Sequence, residues 1–245
     1  MVHMADNIFE HPRLAAIYDP LDPDRSDLDV YVAIAEELGA RRVLDIGSGT
    51  GVFALMLADR GIEVTGVEPA GASLDVARAK PGSERVQWIY GDVTALPPMQ
   101  VDLATMTANV AQAIADPADW EGTLRGAYQA LRPGGHLVFE TRVPAKRAWE
   151  KWTREETYQR VEIEGVGWVE SWNDLLDVSG PLVTFRGTTI FASDGEVLLS
   201  DSTLRFREAG EVESALVEYG YVVQEIRDAP DRPGREFVFF AVRPE

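Results

Sequence analysis

A glycine-rich turn beside an acidic residue is the part of this sequence most able to bind a small molecule. Residues 43–51 read VLDIGSGTG, and an apolar, helix-forming run follows at once. This pattern predicts a buried strand, a tight turn and a helix N-terminus, with backbone N–H groups facing a ligand. Gly47 permits the reversal of the chain, Gly49 lets the backbone approach the ligand, and Gly51 allows close packing of the helix.

Asp45 separates two classes of cofactor, because it stands two residues before the first glycine. The spacing is G-x-G-x-G, with Val52 where the dinucleotide pattern has its last glycine. A carboxylate here repels a pyrophosphate and attracts an ammonium group. The pattern therefore favours S-adenosyl-L-methionine, whose amino-acid tail is zwitterionic and which has no phosphate, over a nicotinamide dinucleotide. A glycine turn without a ligand is the remaining alternative.

Two further predicted strands also end in an acid. Residues 62–68 (IEVTGVE) end in Glu68, 23 residues after Asp45, and residues 86–92 (VQWIYGD) end in Asp92, 24 residues later. Each interval fits one strand-helix unit, and the carboxyl ends of parallel strands meet at one edge of a sheet. In that crevice Glu68 can accept hydrogen bonds from both hydroxyls of a ribose, and Asp92 from the amine of adenine. A solvated turn or a helix cap is the alternative role for any one of these acids.

Five segments, in this order, resemble the motif series of the class I S-adenosylmethionine-dependent methyltransferases that act on small molecules: VLDIGSGTG, VTGVEPA, YGDVTALPP, VDLATMTANVAQ and LRPGGHLVFET. The resemblance covers about residues 43–142. It implies S-adenosyl-L-methionine as the cofactor and in-line transfer of its methyl group to a small molecule. It leaves the substrate and the accepting atom open.

The resemblance also assigns candidate site residues. The expected cofactor-binding residues are Tyr18, Asp45, Gly47, Ser48, Gly49, Gly51, Glu68, Pro69, Asp92, Val93, Thr107, Ala108 and Asn109. The expected catalytic residues, which follow the fourth strand or lie at the productive end of the fifth, are Asn109, Gln112, Glu140 and Arg142. Gln112 can orient a nucleophile but cannot take its proton, and a helix-cap role is its alternative. Tyr18 either folds over the cofactor or anchors the N-terminal helix.

The elements that position these residues alternate between strand and helix. Helices are predicted at residues 12–18, 26–38, 120–131 and 208–219, and further strands at residues 99–106, 137–141, 222–227 and 235–242. This pattern predicts an α/β fold with a Rossmann-like, doubly wound seven-stranded sheet. The family resemblance makes the last strand antiparallel. His136 stands at the start of the fifth strand, away from the crevice, and we expect it to be structural.

Between residues 144 and 207 the periodicity changes. A short helix and three β-rich runs, at 166–178, 182–193 and 197–207, predict an inserted antiparallel β cap, with a hairpin turn at Ser193-Asp194-Gly195. The predicted divisions are residues 1–143 for the N-terminal helices and cofactor-binding core, 144–207 for the cap and 208–245 for completion of the core sheet.

The cap also holds most of the aromatic and basic residues with a potential role in substrate binding. Four of the six Trp lie between Trp149 and Trp172, where they either line a substrate site or anchor the cap. A basic cluster that begins at Arg142 and ends at Arg154 either binds a carboxylate or phosphate of the substrate or forms a solvated face. We expect the cap to form the substrate pocket, with a homodimer interface as the alternative use of its strand edges.

Composition restricts the partners. The 245-residue chain has a formal net charge of −18, which disfavours a nucleic-acid substrate and an anionic membrane surface. A neutral or cationic small molecule fits this charge better. There is no Cys, which excludes disulfides, thiolate metal sites and a cysteine nucleophile, and we expect no metal. No apolar run is as long as a membrane span, so a cytoplasmic enzyme is expected. The alternatives are a nicotinamide-dependent oxidoreductase and a non-catalytic adenosylmethionine-binding module.

Overall fold

Two β-sheets with surrounding helices make up the structure, a computed structural model that describes residues 5–245; residues 1–4 of the predicted N-terminal region lie outside the described residues. The strands are β1 (Arg42–Ile46), β2 (Glu63–Glu68), β3 (Val86–Tyr90), β4 (Val101–Met106), β5 (Leu131–Arg142), β6 (Gln159–Ile163), β7 (Gly167–Ser179), β8 (Leu182–Phe191), β9 (Val197–Arg205), β10 (Val222–Asp228) and β11 (Glu236–Val242). The α-helices are α1 (Asn7–Glu10), α2 (Pro12–Leu21), α3 (Asp29–Glu37), α4 (Val52–Ala58), α5 (Gly71–Ala79), α6 (Val110–Ala113), α7 (Pro117–Ala130), α8 (Arg154–Thr157) and α9 (Ala209–Glu218).

The larger sheet has seven strands in the order β10-β11-β5-β4-β1-β2-β3. Strands β1 to β5 run parallel to one another, whereas β11 is antiparallel to both of its neighbours, β5 and β10. The predicted Rossmann-like, doubly wound seven-stranded sheet with an antiparallel last strand is therefore confirmed. From β1 the chain adds β2 and β3 on one side and then β4 and β5 on the other, so the strand order reverses beside β1. In open α/β sheets, ligands bind at such switch points.

Alternating side chains of the large sheet pack on helices at both faces. Leu44 on one face joins Leu124 of α7 and Leu216 of α9 in an apolar core. Val43 on the other face packs with α3 and α4. Burial on both faces explains the nearly continuous apolar runs that the sequence shows in these strands.

The second sheet, formed by β6-β7-β8-β9, is antiparallel and is inserted between β5 and α9. The inserted β cap is thus confirmed, but it has four strands where three β-rich runs were expected. Strand β6 reads QRVEI and has only two apolar residues, so its pairing with β7 is what makes it a strand. The expected hairpin turn joins β8 to β9, with Gly195 at φ 74°.

Several element boundaries differ from those expected. Helix α7 begins at Pro117, three residues before Trp120, because the Asp116 carboxylate accepts hydrogen bonds from the N–H groups of Ala118 and Asp119. The helix expected over residues 26–38 divides into a 3₁₀ turn, Ser26–Leu28, and α3. The short helix α1 was not expected at all.

The N-terminal helices contact both sheets. Leu14 and Ile17 of α2 pack on Val169 and Phe191 of the second sheet. On the other side, the Phe9 carbonyl accepts a hydrogen bond from the Ser73 hydroxyl of α5 at 2.9 Å. These helices therefore connect the second sheet to the large sheet. Over residues 5–245, no helix is both long and apolar enough to cross a bilayer.

We expect Phe239→Ala to destabilise the fold by about 3–5 kcal/mol, the usual cost of removing a buried phenyl ring. Phe239 is fully buried on β11 and stacks on Phe139 of β5 with 5.2 Å between the ring centroids. Urea denaturation measures the change. The matched control is Val217→Ala on α9, a side chain that is 63% exposed and should change the free energy of unfolding by less than about 0.5 kcal/mol. Equal effects of the two substitutions would contradict this account of the core.

Candidate active site

The glycine turn after β1 is held in place by backbone hydrogen bonds to β2. The N–H groups of Gly47 and Ser48 both donate to the Val67 carbonyl, at 2.9 and 3.1 Å. A Cβ atom at Gly47 would lie 2.7 Å from Val110, whereas a Cβ at Gly49 would meet no atom within 4 Å. Both residues have positive φ, which favours glycine. Gly49 thus borders open space, as a turn that receives a ligand requires.

Gly51 allows close packing, but with a different partner from the one expected. A Cβ atom at Gly51 would lie 2.6 Å from the Trp88 ring of β3 and 2.9 Å from Ala77 of α5. The sequence suggested contact between the helix and its own strand, β1. Trp88 reaches Gly51 from β3, two strands away from β1 in the sheet, and only the tertiary structure places it there.

Asp45 is a buried carboxylate at the carboxyl end of β1. Its Oδ1 accepts a hydrogen bond from the Thr105 hydroxyl at 3.2 Å, and no cation pairs with it among the described residues. Burial, together with the nearby charges of Glu68 and Glu140, raises the pKa of Asp45 to about 7 against the opposing effect of the Thr105 hydrogen bond. A ligand that brings a positive charge would therefore stabilise the ionised form.

Glu68 is buried at the end of β2 and binds the glycine turn. One oxygen accepts from the Gly49 N–H at 2.7 Å, and the other accepts from the Ala70 N–H at 2.8 Å, just beyond the half-buried Pro69. Burial raises the pKa of Glu68, and these two hydrogen bonds oppose that change. Each carboxylate oxygen has two lone pairs, so acceptor capacity remains for ribose hydroxyls.

Asp92 follows β3 and caps a 3₁₀ turn, Val93–Ala95. Its Oδ1 accepts from the N–H of Thr94 at 2.8 Å and from the Thr94 hydroxyl at 2.5 Å. Both bonds use the same oxygen, which leaves Oδ2 for a ligand. Asp92 therefore caps a helical turn, which was the alternative role for the strand-end acids. Its second oxygen can still accept a hydrogen bond from adenine.

The four residues expected to be catalytic lie in one buried polar cluster. The Asn109 N–H donates to Glu140 Oε1 at 2.6 Å, and Arg142 Nη1 donates to Gln112 Oε1 at 3.0 Å. Asn109, Gln112 and Glu140 are all buried. Burial raises the pKa of Glu140 to about 7 against the opposing effects of nearby Tyr31 and of the hydrogen bond from the Asn109 N–H. The structure brings these residues together, and their roles in catalysis stay a prediction.

The cluster contains three residues that the sequence did not indicate. The Asn109 side-chain amide donates to Glu236 Oε1 at 3.1 Å, and Arg232 pairs with the same oxygen at 3.1 Å. Tyr31 of α3 reaches Glu140 from one face of the sheet. Glu236 had a detectable signal, because it is an acid at the start of an otherwise apolar strand. Tyr31 had none, because it looks like any aromatic residue on the apolar side of a helix.

The backbone between β4 and α6 is strained. Ala108 and Asn109 have φ values of 54° and 61°, in the left-handed region that most L-residues avoid. Thr107 and Asn109 are buried and Ala108 is exposed. Residues held in such conformations by their surroundings are concentrated at functional sites.

Helix α2 lies over the glycine turn. Asp19 accepts a hydrogen bond from the Thr50 hydroxyl at 2.6 Å and pairs with Lys80 at 2.6 Å. Tyr18 packs on Phe9 with 5.6 Å between ring centroids, and burial raises its pKa. Tyr18 also lies near Arg142. Both expected roles of Tyr18, as a cover for the cofactor and as a helix anchor, fit this position.

The basic and aromatic residues of the inserted segment divide between two places. The Arg142 guanidinium lies 5.8 Å from the Trp152 ring, inside the molecule. Trp172 lies on the outer face of the second sheet, where Arg154 stacks on it at 4.2 Å. Successive side chains of a strand point to opposite faces of the sheet. Val169 of β7 faces the N-terminal helices, so Trp172, three residues later, faces the other side.

His136 lies apart from these groups. Its Nε2 is 3.0 Å from Gln224 Oε1 of β10, and partial burial lowers its pKa. In β5 it pairs with Val242, near the end of β11 that is distant from Glu236. This position fits the expected structural role.

Known proteins resemble this chain in sequence and in fold. A family model described as a methyltransferase domain matches residues 43–135. The CcbJ methyltransferase from Streptomyces caelestis aligns over 98% of this chain and 100% of its own, with a TM-score of 0.77 and 23% identity. CalS10, an amino pentose methyltransferase from Micromonospora echinaspora, aligns over 93% of this chain and 96% of its own, with a TM-score of 0.72 and 23% identity. These two structures show the fold.

Sequence relatives share mainly the cofactor-binding half. The demethylmenaquinone methyltransferase of Thermus thermophilus is 38% identical over 111 residues, which are 44% of this chain and 50% of that protein. The chain spans about half the length of that relative. Residues 43–135 therefore match a methyltransferase domain, and the chain as a whole has the fold of these solved methyltransferases.

Proposed function

We propose that this protein transfers the methyl group of S-adenosyl-L-methionine to a nucleophilic atom of a small molecule. The observation that carries the proposal is Asp45, a buried carboxylate beside the glycine turn that has no cationic partner among the described residues. An ammonium group of the cofactor would supply that partner. A dinucleotide pyrophosphate would add like charge next to Asp45, which disfavours a nicotinamide-dependent oxidoreductase.

Other residues support the fit to this cofactor. Glu68 and Asp92 retain acceptor capacity for ribose and adenine, and the Gly49 backbone borders open space. Buried polar atoms without a hydrogen-bond partner among residues 5–245 include the Ser48 hydroxyl and the Asn109 side-chain oxygen. Buried polar groups usually have partners, so these atoms indicate a polar ligand. When bound, the cofactor supplies a methyl group that its sulfonium has already activated.

The protein's own part in the reaction is orientation, exclusion of water and proton handling. Orientation of two reactants can lower a barrier by about 7–11 kcal/mol. The Gln112 side-chain nitrogen is buried and has no partner among the described residues, so it can orient the acceptor, while its oxygen stays on Arg142. Glu140 can hold a proton near neutral pH. These roles extend the expected catalytic set of Asn109, Gln112, Glu140 and Arg142, and a non-catalytic cofactor-binding module would not need them.

The acceptor we propose is a small molecule held between the buried polar cluster and the second sheet. Similar proteins include a demethylmenaquinone methyltransferase and an amino pentose methyltransferase, so acceptors of small size recur among them. The net charge of −18 supports exclusion of nucleic acid and of anionic membranes. We also propose a cytoplasmic location and a homodimer formed through the second sheet, whose outer face exposes Trp168 and Leu199.

We expect S-adenosylmethionine and S-adenosylhomocysteine to bind, and NAD not to bind, because Asp45 attracts an ammonium group and repels phosphates. Calorimetry measures all three affinities. Transfer of a tritiated methyl group from labelled cofactor into a metabolite extract, followed by mass spectrometry, then identifies the acceptor. NAD binding without adenosylmethionine binding would reject the proposed function.

Glu68→Ala should weaken S-adenosylhomocysteine binding by about 1.5–3 kcal/mol, the range for hydrogen bonds to a charged group. The matched control is Glu63→Ala, which removes an exposed acid from the start of the same strand. Because Glu68 also binds the Gly49 N–H, thermal denaturation must accompany the titration. An unchanged affinity in a folded Glu68→Ala protein would place the ribose elsewhere.

Cofactor affinity should rise as the pH increases from 5.5 to 7. Burial raises the pKa of Asp45 to about 7, so the carboxyl is mostly neutral at the lower pH and cannot attract an ammonium group. Ionisation over this interval should strengthen S-adenosylhomocysteine binding about tenfold. Asp45→Asn should bind weakly at every pH, with a flat profile. The same rise in the Asp45→Asn protein would show that another group is responsible.

A further inference from the structure

Arg207 is a buried cation that lies just after the second sheet. Its side chain follows β9, which ends at Arg205, and the residue is only 2% exposed. The guanidinium stacks on the Trp120 ring at 4.3 Å. It forms no ion pair with a carboxylate among residues 5–245, and burial lowers its pKa to about 10, so it stays charged at neutral pH. A buried charge is costly unless its hydrogen bonds are satisfied.

Two carbonyl groups at the end of α6 satisfy those hydrogen bonds. Arg207 Nη1 donates to the Ala111 carbonyl at 2.8 Å, and Nη2 donates to the Ile114 carbonyl at 2.7 Å. The planar guanidinium fork thus joins two carbonyls that a helix terminus leaves unsatisfied. A lysine could not span both, because its ammonium is a single point of attachment.

Helix α6 needs external support. It has four residues, and a helix this short is not stable by itself. The strained backbone of Ala108 and Asn109 precedes it directly. Gln112 lies within α6, so the position of its side-chain amide depends on whatever holds the helix.

The same region is linked to the second sheet by a closed series of contacts. Gln112 binds Arg142, and the Arg142 guanidinium lies 5.8 Å from the Trp152 ring. Trp152 in turn lies 6.1 Å from the Phe206 ring. Phe206 is adjacent to Arg207, which returns to α6. A displacement of the second sheet would therefore reach Gln112 by two routes, through Arg142 and through Arg207.

We infer that Arg207 is a positioning residue, which fixes α6 so that Gln112 is oriented for the acceptor and which connects the second sheet to that helix. This inference rests on the proposed methyl transfer for its role in turnover. The contacts with Ala111 and Ile114 carry the inference, since they attach the segment after the second sheet to the segment that carries Gln112.

The test compares Arg207→Met, Arg207→Lys and the control Arg205→Met. Arg205 lies two residues away and pairs with Glu211, so its loss removes the same charge and leaves both hydrogen bonds from Arg207 to the α6 region in place. The rate of hydrogen–deuterium exchange in residues 107–115 measures how firmly α6 is held in place. Calorimetry measures the affinity for S-adenosylhomocysteine. With the acceptor from the methyl-transfer assay, kcat and KM are measured separately.

Arg207→Met should increase exchange in residues 107–115 at least tenfold and lower kcat at least tenfold. The S-adenosylhomocysteine affinity and KM should each change less than threefold. Arg207→Lys should give intermediate exchange and turnover, and Arg205→Met should match the wild type in both. If the Met variant does not fold, exchange in residues 107–115 and kcat of Arg207→Lys, each compared with Arg205→Met, test the inference instead.

Wild-type exchange in either Arg207 variant, or an equal increase in Arg205→Met, would overturn the inference. Increased exchange with unchanged kcat would also overturn it, because Arg207 would then stabilise α6 without positioning Gln112. Failure of the proposed function looks different, since the wild-type protein would then bind no S-adenosylhomocysteine. The exchange measurements would still decide whether Arg207 holds α6.

Discussion

Burial of several carboxylates at one edge of the seven-stranded sheet is the constraint on which the rest of the structure depends. Asp45, Glu68, Glu140 and Glu236 are all buried there, although ionised carboxyl groups strongly prefer water. Two of them are stabilised by backbone N–H groups, from the glycine turn at Glu68 and from Asn109 at Glu140. Asp45 lacks a comparable cationic or backbone partner among the described residues and is the group most dependent on a ligand.

This constraint accounts for the unusual backbone around the site. The turn after β1 must direct N–H groups at both Val67 and Glu68, and the glycines with positive φ allow that path. The segment after β4 must present the Asn109 N–H to Glu140, which it does in the left-handed region. Strain at these positions is offset by burial and hydrogen bonding in the surrounding elements.

The elements outside the large sheet enclose this edge from two directions. Helix α2 covers the glycine turn, where its Asp19 binds Thr50 and pairs with Lys80, which follows α5. The same helix packs on the inner face of the second sheet. Arg207 attaches the other end of the inserted segment to α6. The glycine turn and α6 are thus supported by different contacts.

The sequence by itself determined the large sheet, the order of its strand-helix units and the identity of the strand-end acids. Those features depend on local periodicity and on glycine positions, which short segments of chain encode. Only the tertiary structure decided that Trp88 packs on Gly51, that β6 joins the second sheet, and that Tyr31, Glu236 and Arg207 reach the site. Each of these depends on contacts between residues far apart in the chain, and a buried side chain is indistinguishable in sequence from an exposed one of the same type until its neighbours are known.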